Sequence, residues 1–259
     1  MSENTETIKI NSLYAQEEVK PYGERSSKRE QVEQMFDSIA HSYDLLNHTL
    51  SLGIDRIWRR KAIKHLQSTA KIQPKTILDV ATGTGDFAIL AQQKLHPDAV
   101  VGIDISEGML AIGREKVEKK GLSDIISFQY EDCESMSFKD NHFDAIISAF
   151  ALRNFQNLDK CLMEMKRVLA PQGKLVAIDL CTPVSFPMKQ LFWLYKKIVM
   201  PLIGRFVSHD NHAYTYLPET MDAVPQAGRM VEIFQKSGLK NVSYKRLIFG
   251  MCILYSAEK

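Results

Sequence analysis

Between Thr76 and Ala88 the chain reads Thr-Ile-Leu-Asp-Val-Ala-Thr-Gly-Thr-Gly-Asp-Phe-Ala, an order of residues that few folds accommodate. Thr76 to Val80 is a short apolar run suited to a buried strand. Gly83 and Gly85 flank Thr84 and permit a sharp turn and a close ligand approach that a β-carbon would obstruct. From Asp86 to Leu95 the apolar residues Phe87, Ile89, Leu90 and Leu95 fall at helical spacing. Strand, glycine turn and helix make the first half of a nucleotide-binding unit. The next apolar run, Ala99 to Ile103, ends in Asp104, where an acid can hold ribose hydroxyls.

The alternation continues beyond this unit. Strands are expected at 76–81, 99–104, 125–130, 143–149 and 173–180, and helices at 86–95, 107–120 and 158–169. Ser106 suits an N-cap and Gly121 a C-cap of the helix between them. Pro171-Gln172-Gly173 reads as a turn opening the fifth strand. Strands alternating with helices imply a mostly parallel sheet covered on both faces. A helix at 228–237, ended by Gly238, precedes two β-rich runs, 241–249 and 251–257, whose short connection makes them antiparallel. Ahead of the first strand, Val32, Met35, Phe36 and Ile39, then Ile57, Trp58, Ala62, Ile63 and Leu66, predict two helices over 31–67. They form an N-terminal cap (31–70) that covers a sheet edge, a ligand site, or both. Residues 1–30 are polar and read as a mobile tail without the apolar segment of a secretory signal. Residues 182–227 lose the pattern and read as an insertion that contributes to a substrate site. The expected organisation is therefore one domain, 31–259.

Composition excludes several classes. A net charge of +2 gives no reason to expect a nucleic-acid partner. Four cysteines, Cys133, Cys161, Cys181 and Cys252, form no C-x-x-C, which fits a reducing, cytoplasmic setting and no structural zinc. No apolar run reaches the ~18–20 residues of a membrane span. The stretch 191–207 is apolar and aromatic but interrupted by Lys196, Lys197, Pro201 and Arg205, so it suits contact with a membrane surface. A homodimer is left open.

The turn Gly83-x-Gly85-x-x-Ala88 alone suits NAD, FAD or S-adenosylmethionine. Two details favour the last. Asp79 stands just upstream, and a carboxylate near the turn suits a cation better than a diphosphate. Asp79-Val80-Ala81-Thr82-Gly83-Thr84-Gly85 resembles the D-x-x-x-G-x-G start of class I methyltransferases, whose ligand carries a sulfonium and an α-amino group. The third strand ends Tyr130-Glu131-Asp132-Cys133-Glu134, where that superfamily has an acid accepting from the adenine amino group; a carboxylate is an acceptor only. The fourth strand runs into Phe150-Ala151-Leu152-Arg153-Asn154-Phe155. Ligands of doubly wound sheets bind at the carboxyl ends of strands, so Arg153 and Asn154 are expected at the chemistry. The competing readings are a solvated turn acid for Asp132 and a helix-capping pair for Arg153 and Asn154.

Tyr43-Asp44-Leu45-Leu46-Asn47 with Leu50-Ser51-Leu52-Gly53-Ile54-Asp55-Arg56-Ile57-Trp58 resembles the first signature of the ubiquinone/menaquinone biosynthesis C-methyltransferases. Phe150 to Asn154 is similar to their motif after the fourth strand. Arg167-Val168-Leu169-Ala170-Pro171-Gln172-Gly173-Lys174-Leu175 resembles their second signature, and Asp210 followed by Tyr214-Thr215-Tyr216-Leu217-Pro218 also fits. The likeness spans about 31–259. It departs at Asp55, where the family usually has His, at Gln172, where Gly is usual, and at Asp179, where the signature ends near a Glu. Ala149 replaces a small hydroxyl residue, and Asp132 an Asn.

The resemblance implies a Rossmann-like class I fold with a seven-stranded mostly parallel sheet, S-adenosylmethionine as donor, and a polyprenylated quinol as acceptor. Demethylmenaquinol is the expected acceptor, with a 2-methoxy-6-polyprenyl-benzoquinol as the alternative. Donor contacts carried over by the resemblance fall on Thr84, Asp104, Asp132 and Cys133, beside Asp79, Gly83 and Gly85 of the turn. Arg153 suits stabilisation of a phenolate and is a poor base, because a guanidinium keeps its proton. Asn154 would orient the ring or a water, and Asp210 and Tyr214 are candidates for the base or its relay. His209 and His212 read as a surface pair, and methyl transfer to an activated carbon calls for no metal. Phe192, Trp193, Tyr195, Ile198, Val199, Leu202 and Ile203 are candidates to line a prenyl channel at the inner face of a membrane. Rival readings are a nicotinamide oxidoreductase, which leaves Asp79, Asp132 and Arg153–Asn154 without a role, and a non-catalytic lipid-binding subunit.

Overall fold

Thr76–Val80 forms β1, and every residue of it after Thr76 is buried, so neither face meets water. A strand covered on both faces lies mid-sheet. β1 pairs in parallel with β2 (Ala99–Asp104) on one side and β4 (Phe143–Ala149) on the other. β3 (Ile126–Tyr130) lies beyond β2, and β5 (Leu169–Leu180) beyond β4. β7 (Cys252–Glu258) pairs antiparallel with β5 and with the edge strand β6 (Lys240–Leu247), giving the order β3-β2-β1-β4-β5-β7-β6. The computed structural model describes residues 13–23, 26–199 and 212–259, and all seven strands lie within them.

Side chains leave each strand alternately to two apolar layers. Ile77, Val100, Ala145 and Ile147 face α3 (Ile54–Thr69), α4 (Asp86–Leu95) and α5 (Glu107–Lys119). Leu78, Val80, Ile103 and Ile146 face α6 (Leu158–Val168) and the helix Gly228–Lys236. In α6 the buried stripe is Leu158, Cys161, Leu162, Met165 and Val168. Its larger side chains each contribute about 1.5–3 kcal/mol when withdrawn from water. The strand order reverses at β1 and β4, so their carboxyl ends open the crevice in which doubly wound sheets bind ligands. Among the described residues, no helix is long and apolar enough to cross a membrane.

The N-terminal cap resolves into α2 (Lys28–Leu50) and α3, broken at Leu52 and Gly53, whose φ values of 51° and 73° no helix sustains. Two expectations need correction. The reading of 1–30 as a mobile tail fails for residues 13–23 and for Lys28–Glu30. Ala15–Glu18 forms a short helix, α1, with Gln16 and Glu17 buried. Glu17 accepts from Leu158 N–H at 2.9 Å and Tyr14 donates to Asp159 at 2.7 Å, so this segment caps the start of α6. The cause is that Glu17 satisfies an otherwise orphaned helix N–H. Second, the turn expected at 171–173 is an irregularity inside β5. Pairing with β4 jumps from Phe143–Leu169 to Ala145–Lys174 because Pro171 has no N–H to give and Gln172 has φ 65°. The insertion 182–227 is partly helical where described. It holds α7 (Met188–Leu194), a π turn (Tyr195–Val199) and the helix His212–Ala223, which carries Pro218 in its interior.

Candidate active site

Gly85 has φ 79° and closes the turn directly into α4. A β-carbon there would lie 2.6 Å from the ring of Phe128. Gly83, at φ 55°, donates its N–H to Asp104 Oδ2 at 2.8 Å, and Ser106 N–H reaches Asp104 Oδ1 at 3.0 Å. Asp104 is thereby aimed across the turn, and burial pushes its carboxyl up to about 6 despite those two donors. Behind the turn, Asp79 Oδ2 accepts from Thr82 Oγ1 at 2.7 Å, and the Ala88 N–H also acts on the buried carboxyl. Burial raises the Asp79 carboxyl to about 7. Gly85→Ala combines a left-handed backbone with a clash against Phe128. It is expected to lose about 1–3 kcal/mol of stability, read as a lower Tm in thermal denaturation.

The turn borders a cavity of about 750 Å³ walled by Gly83, Asp104, Asp132, Cys133, Phe36 and Tyr43, among others. Asp132 Oδ1 accepts from Glu134 N–H at 2.9 Å, and Oδ2 pairs with Arg29 Nε at 2.7 Å. Cys133 is a buried free thiol against Cys161, and burial pushes both thiols up. α2 roofs the cavity and is clamped to the turn. Thr84 Oγ1 donates to Asp44 at 2.7 Å, and Lys116 of α5 pairs with both Asp44 and Asp86.

A second, apolar chamber of about 1480 Å³ adjoins the first. Phe36, Tyr43, Phe150 and Asn154 line both. Ile39, Trp58, Leu191, Phe192, Tyr195 and Tyr216 are among the residues that line the chamber alone. Leu52 and Leu191 line it and are also exposed, so it opens between the α2–α3 corner and α7. Exposed Phe186, Trp193, Leu194 and Ile198 flank that mouth in sequence. Arg153 reaches the chamber wall from the turn Leu152–Asn154. It is only 7% exposed, with Nη1 donating to Phe150 O at 2.6 Å and ion-paired with Asp179. Asn154 Oδ1 is buried and unpartnered.

The expected site residues thus divide. Gly83, Asp104, Asp132 and Cys133 lie on the wall of the first cavity, and Arg153 and Asn154 on that of the second, with Asn154 on both. Asp79, Thr84 and Gly85 are not on either wall; they shape the turn, because Thr84 is spent on Asp44 and Asp79 faces Thr82. Asp210 and His209 lie outside the described residues, as do the side chains of His212 and Tyr214 and residues 200–207 of the proposed channel. Sequence reasoning missed Arg29, which falls inside the stretch read as tail. Its signal was the capping box Ser27-x-x-Glu30, in which Ser27 Oγ accepts from Glu30 N–H at 3.2 Å and marks a helix start at Lys28. Tyr216 was seen only as part of a motif.

Residues 24–259 match the model of the ubiE/COQ5 methyltransferase family. The chain belongs to that family. A demethylmenaquinone methyltransferase of Bacteroides fragilis is 57% identical over 246 residues, 95% of this chain and 99% of the relative. One of Porphyromonas gingivalis is 42% identical, covering 95% of this chain and all of the relative. A ubiquinone/menaquinone biosynthesis C-methyltransferase of Geobacter sulfurreducens is 37% identical over 90% of each chain. Among solved structures, an S-adenosylmethionine-dependent methyltransferase from Aquifex aeolicus aligns with a TM-score of 0.56 at 22% identity, over 77% of this chain and 88% of that one, which speaks for the fold. Family membership sets aside the nicotinamide oxidoreductase. The donor of this family's class I fold is S-adenosylmethionine, and the residues present fit it. Asp104 and Asp132, both on the cavity wall, offer the acceptors that a ribose and an adenine amino group need.

Proposed function

We propose that this member of the ubiE/COQ5 family methylates a ring carbon of demethylmenaquinol. The observation that carries the reading is the shared wall of Phe36, Tyr43, Phe150 and Asn154, through which a donor cavity bearing Asp104 and Asp132 meets a large apolar chamber. An apolar chamber of that size suits a fused aromatic head with the start of a prenyl tail. S-adenosylmethionine supplies an electrophilic methyl: the ring carbon takes it, the S–C bond breaks to give S-adenosylhomocysteine, and the ring hydrogen leaves as a proton. The ring must be reduced, because only a hydroquinol oxygen pushes electrons onto the adjacent carbon.

The chain's own contribution is position and charge. Gly83, Asp104, Asp132 and Cys133 hold the donor, with Asp79, Thr84 and Gly85 keeping the turn in shape. Arg153, fixed by Asp179 and Phe150, stabilises negative charge on a phenolic oxygen at the chamber wall. Asn154, common to both cavities, orients the ring toward the methyl, and Asp210 and Tyr214 remain candidates for the base. Most of the acceleration comes from holding carbon and methyl in line at about 3–3.5 Å. The exposed residues Phe186, Leu191, Trp193 and Ile198, beside Lys189 and Lys197, rest on a membrane surface from which the tail enters.

The test is methyl transfer by the purified protein to reduced demethylmenaquinone and to a reduced methoxy-benzoquinone analogue, each with and without anionic vesicles. The expected result is turnover of the first and faster turnover with vesicles. Turnover of the benzoquinol alone would overturn the substrate assignment, and indifference to vesicles would remove the membrane contact.

A further inference from the structure

The helix His212–Ala223 brings one aromatic side chain to the chamber whose polar end has nothing to bond. Tyr216 is 3% exposed and packs with Val32 and Met35 of α2. Lys28 Nζ lies 5.9 Å from its ring centroid. Its residue lines the apolar chamber, and its hydroxyl is buried without a hydrogen-bond partner. A buried hydroxyl left unpaired costs about 1–3 kcal/mol. A phenylalanine would fill the same space without that penalty, so the hydroxyl has no role in holding the fold as described. Asn154 Oδ1, on the same chamber, is orphaned too. Two residues that line one largely apolar space thus carry a donor and an acceptor without partners, and a ligand with two ring oxygens supplies both.

We propose that the Tyr216 hydroxyl donates a hydrogen bond to one ring oxygen of the quinol acceptor, while Asn154 Oδ1 accepts from the other. The proposal rests on the quinol reading above and adds a residue to it. Burial raises the Tyr216 phenol well above its ordinary value, so the group keeps its proton and acts as donor, not as base. Arg153, ion-paired with Asp179, lines the same chamber as Tyr216. Donation to an oxygen strengthens as that oxygen takes on phenolate character, so the contact favours the transition state over bound substrate.

The experiment compares wild type with Tyr216→Phe in methyl transfer to reduced demethylmenaquinone, in S-adenosylhomocysteine binding and in thermal denaturation. The expected result is a fall of at least about tenfold in kcat, the range of a weak oxyanion donor. Binding of S-adenosylhomocysteine should stay unchanged, and Tm should stay unchanged or rise. A variant with kcat within twofold of wild type overturns the role of Tyr216 and leaves the quinol reading standing. A variant whose Tm drops by several degrees also overturns it, because the hydroxyl then has a structural partner. A wild type that methylates no reduced demethylmenaquinone refutes both together.

Discussion

Arg153→Ala is expected to lower turnover by about 10²–10³-fold and to destabilise the fold by about 3–5 kcal/mol. The two effects have separate causes. The guanidinium is buried against Asp179, which is itself 3% exposed and also accepts from the N–H groups of Arg153 and Leu180 at 3.1 and 2.7 Å. Removing one charge of a buried pair strands the other. Turnover falls for a different reason, the loss of positive charge where a phenolate forms. Arg153→Ala combined with Asp179→Asn separates them, because asparagine keeps an acceptor without a charge. The double variant should recover most of the lost Tm and none of the lost turnover, with S-adenosylhomocysteine still bound. A double variant that methylates at the wild-type rate would show that Arg153 acts only through the fold.

The second large effect is on pH dependence. Asp79 has its carboxyl raised from 3.8 to about 7 by burial. Below about pH 4 the group is protonated in folded and unfolded chains alike and is neutral toward stability. Between about 4 and 7 the unfolded carboxylate ionises while the folded one keeps its proton, so stability falls as pH rises through this window. The full loss, on the order of 4 kcal/mol, is reached above the folded pKa. Asparagine does not titrate and still accepts from Thr82. The Tm of Asp79→Asn minus that of wild type should therefore grow from pH 5 to pH 7.5. A Tm difference that stays flat across the range would contradict an uncharged, buried Asp79.

Much of the parallel sheet was legible because its central strands are buried on both faces and therefore largely apolar, as Ala145 to Ile147 are and as Ile77 to Val80 are but for Asp79. The antiparallel end was legible from spacing, since only a tight connection fits between 249 and 251. What escaped reading was set by contacts distant in sequence. Nothing local says that Glu17 will cap a helix starting 141 residues later, or that Thr84 will turn toward Asp44 and away from the cavity. The irregularity in β5 is local, yet a proline-glycine turn and a bulge with a left-handed residue carry the same letters. Motifs likewise identified Arg153 and Asn154, but not that Asp179 would fix the first. Nor did they say that Tyr216, two residues beyond the candidate Tyr214, would bring an unpaired hydroxyl to the chamber.

Lys28 carries one further consequence. Its ammonium is 1% exposed and ties the carbonyl of Gln16 to that of Arg153, the latter at 2.9 Å, with burial lowering its pKa to about 7. The match to the family model begins at residue 24, and α1 lies upstream of that point. A recombinant boundary drawn at that match would discard Tyr14, Gln16 and Glu17. It would leave Lys28 reaching for a missing carbonyl directly beneath the turn that carries Arg153.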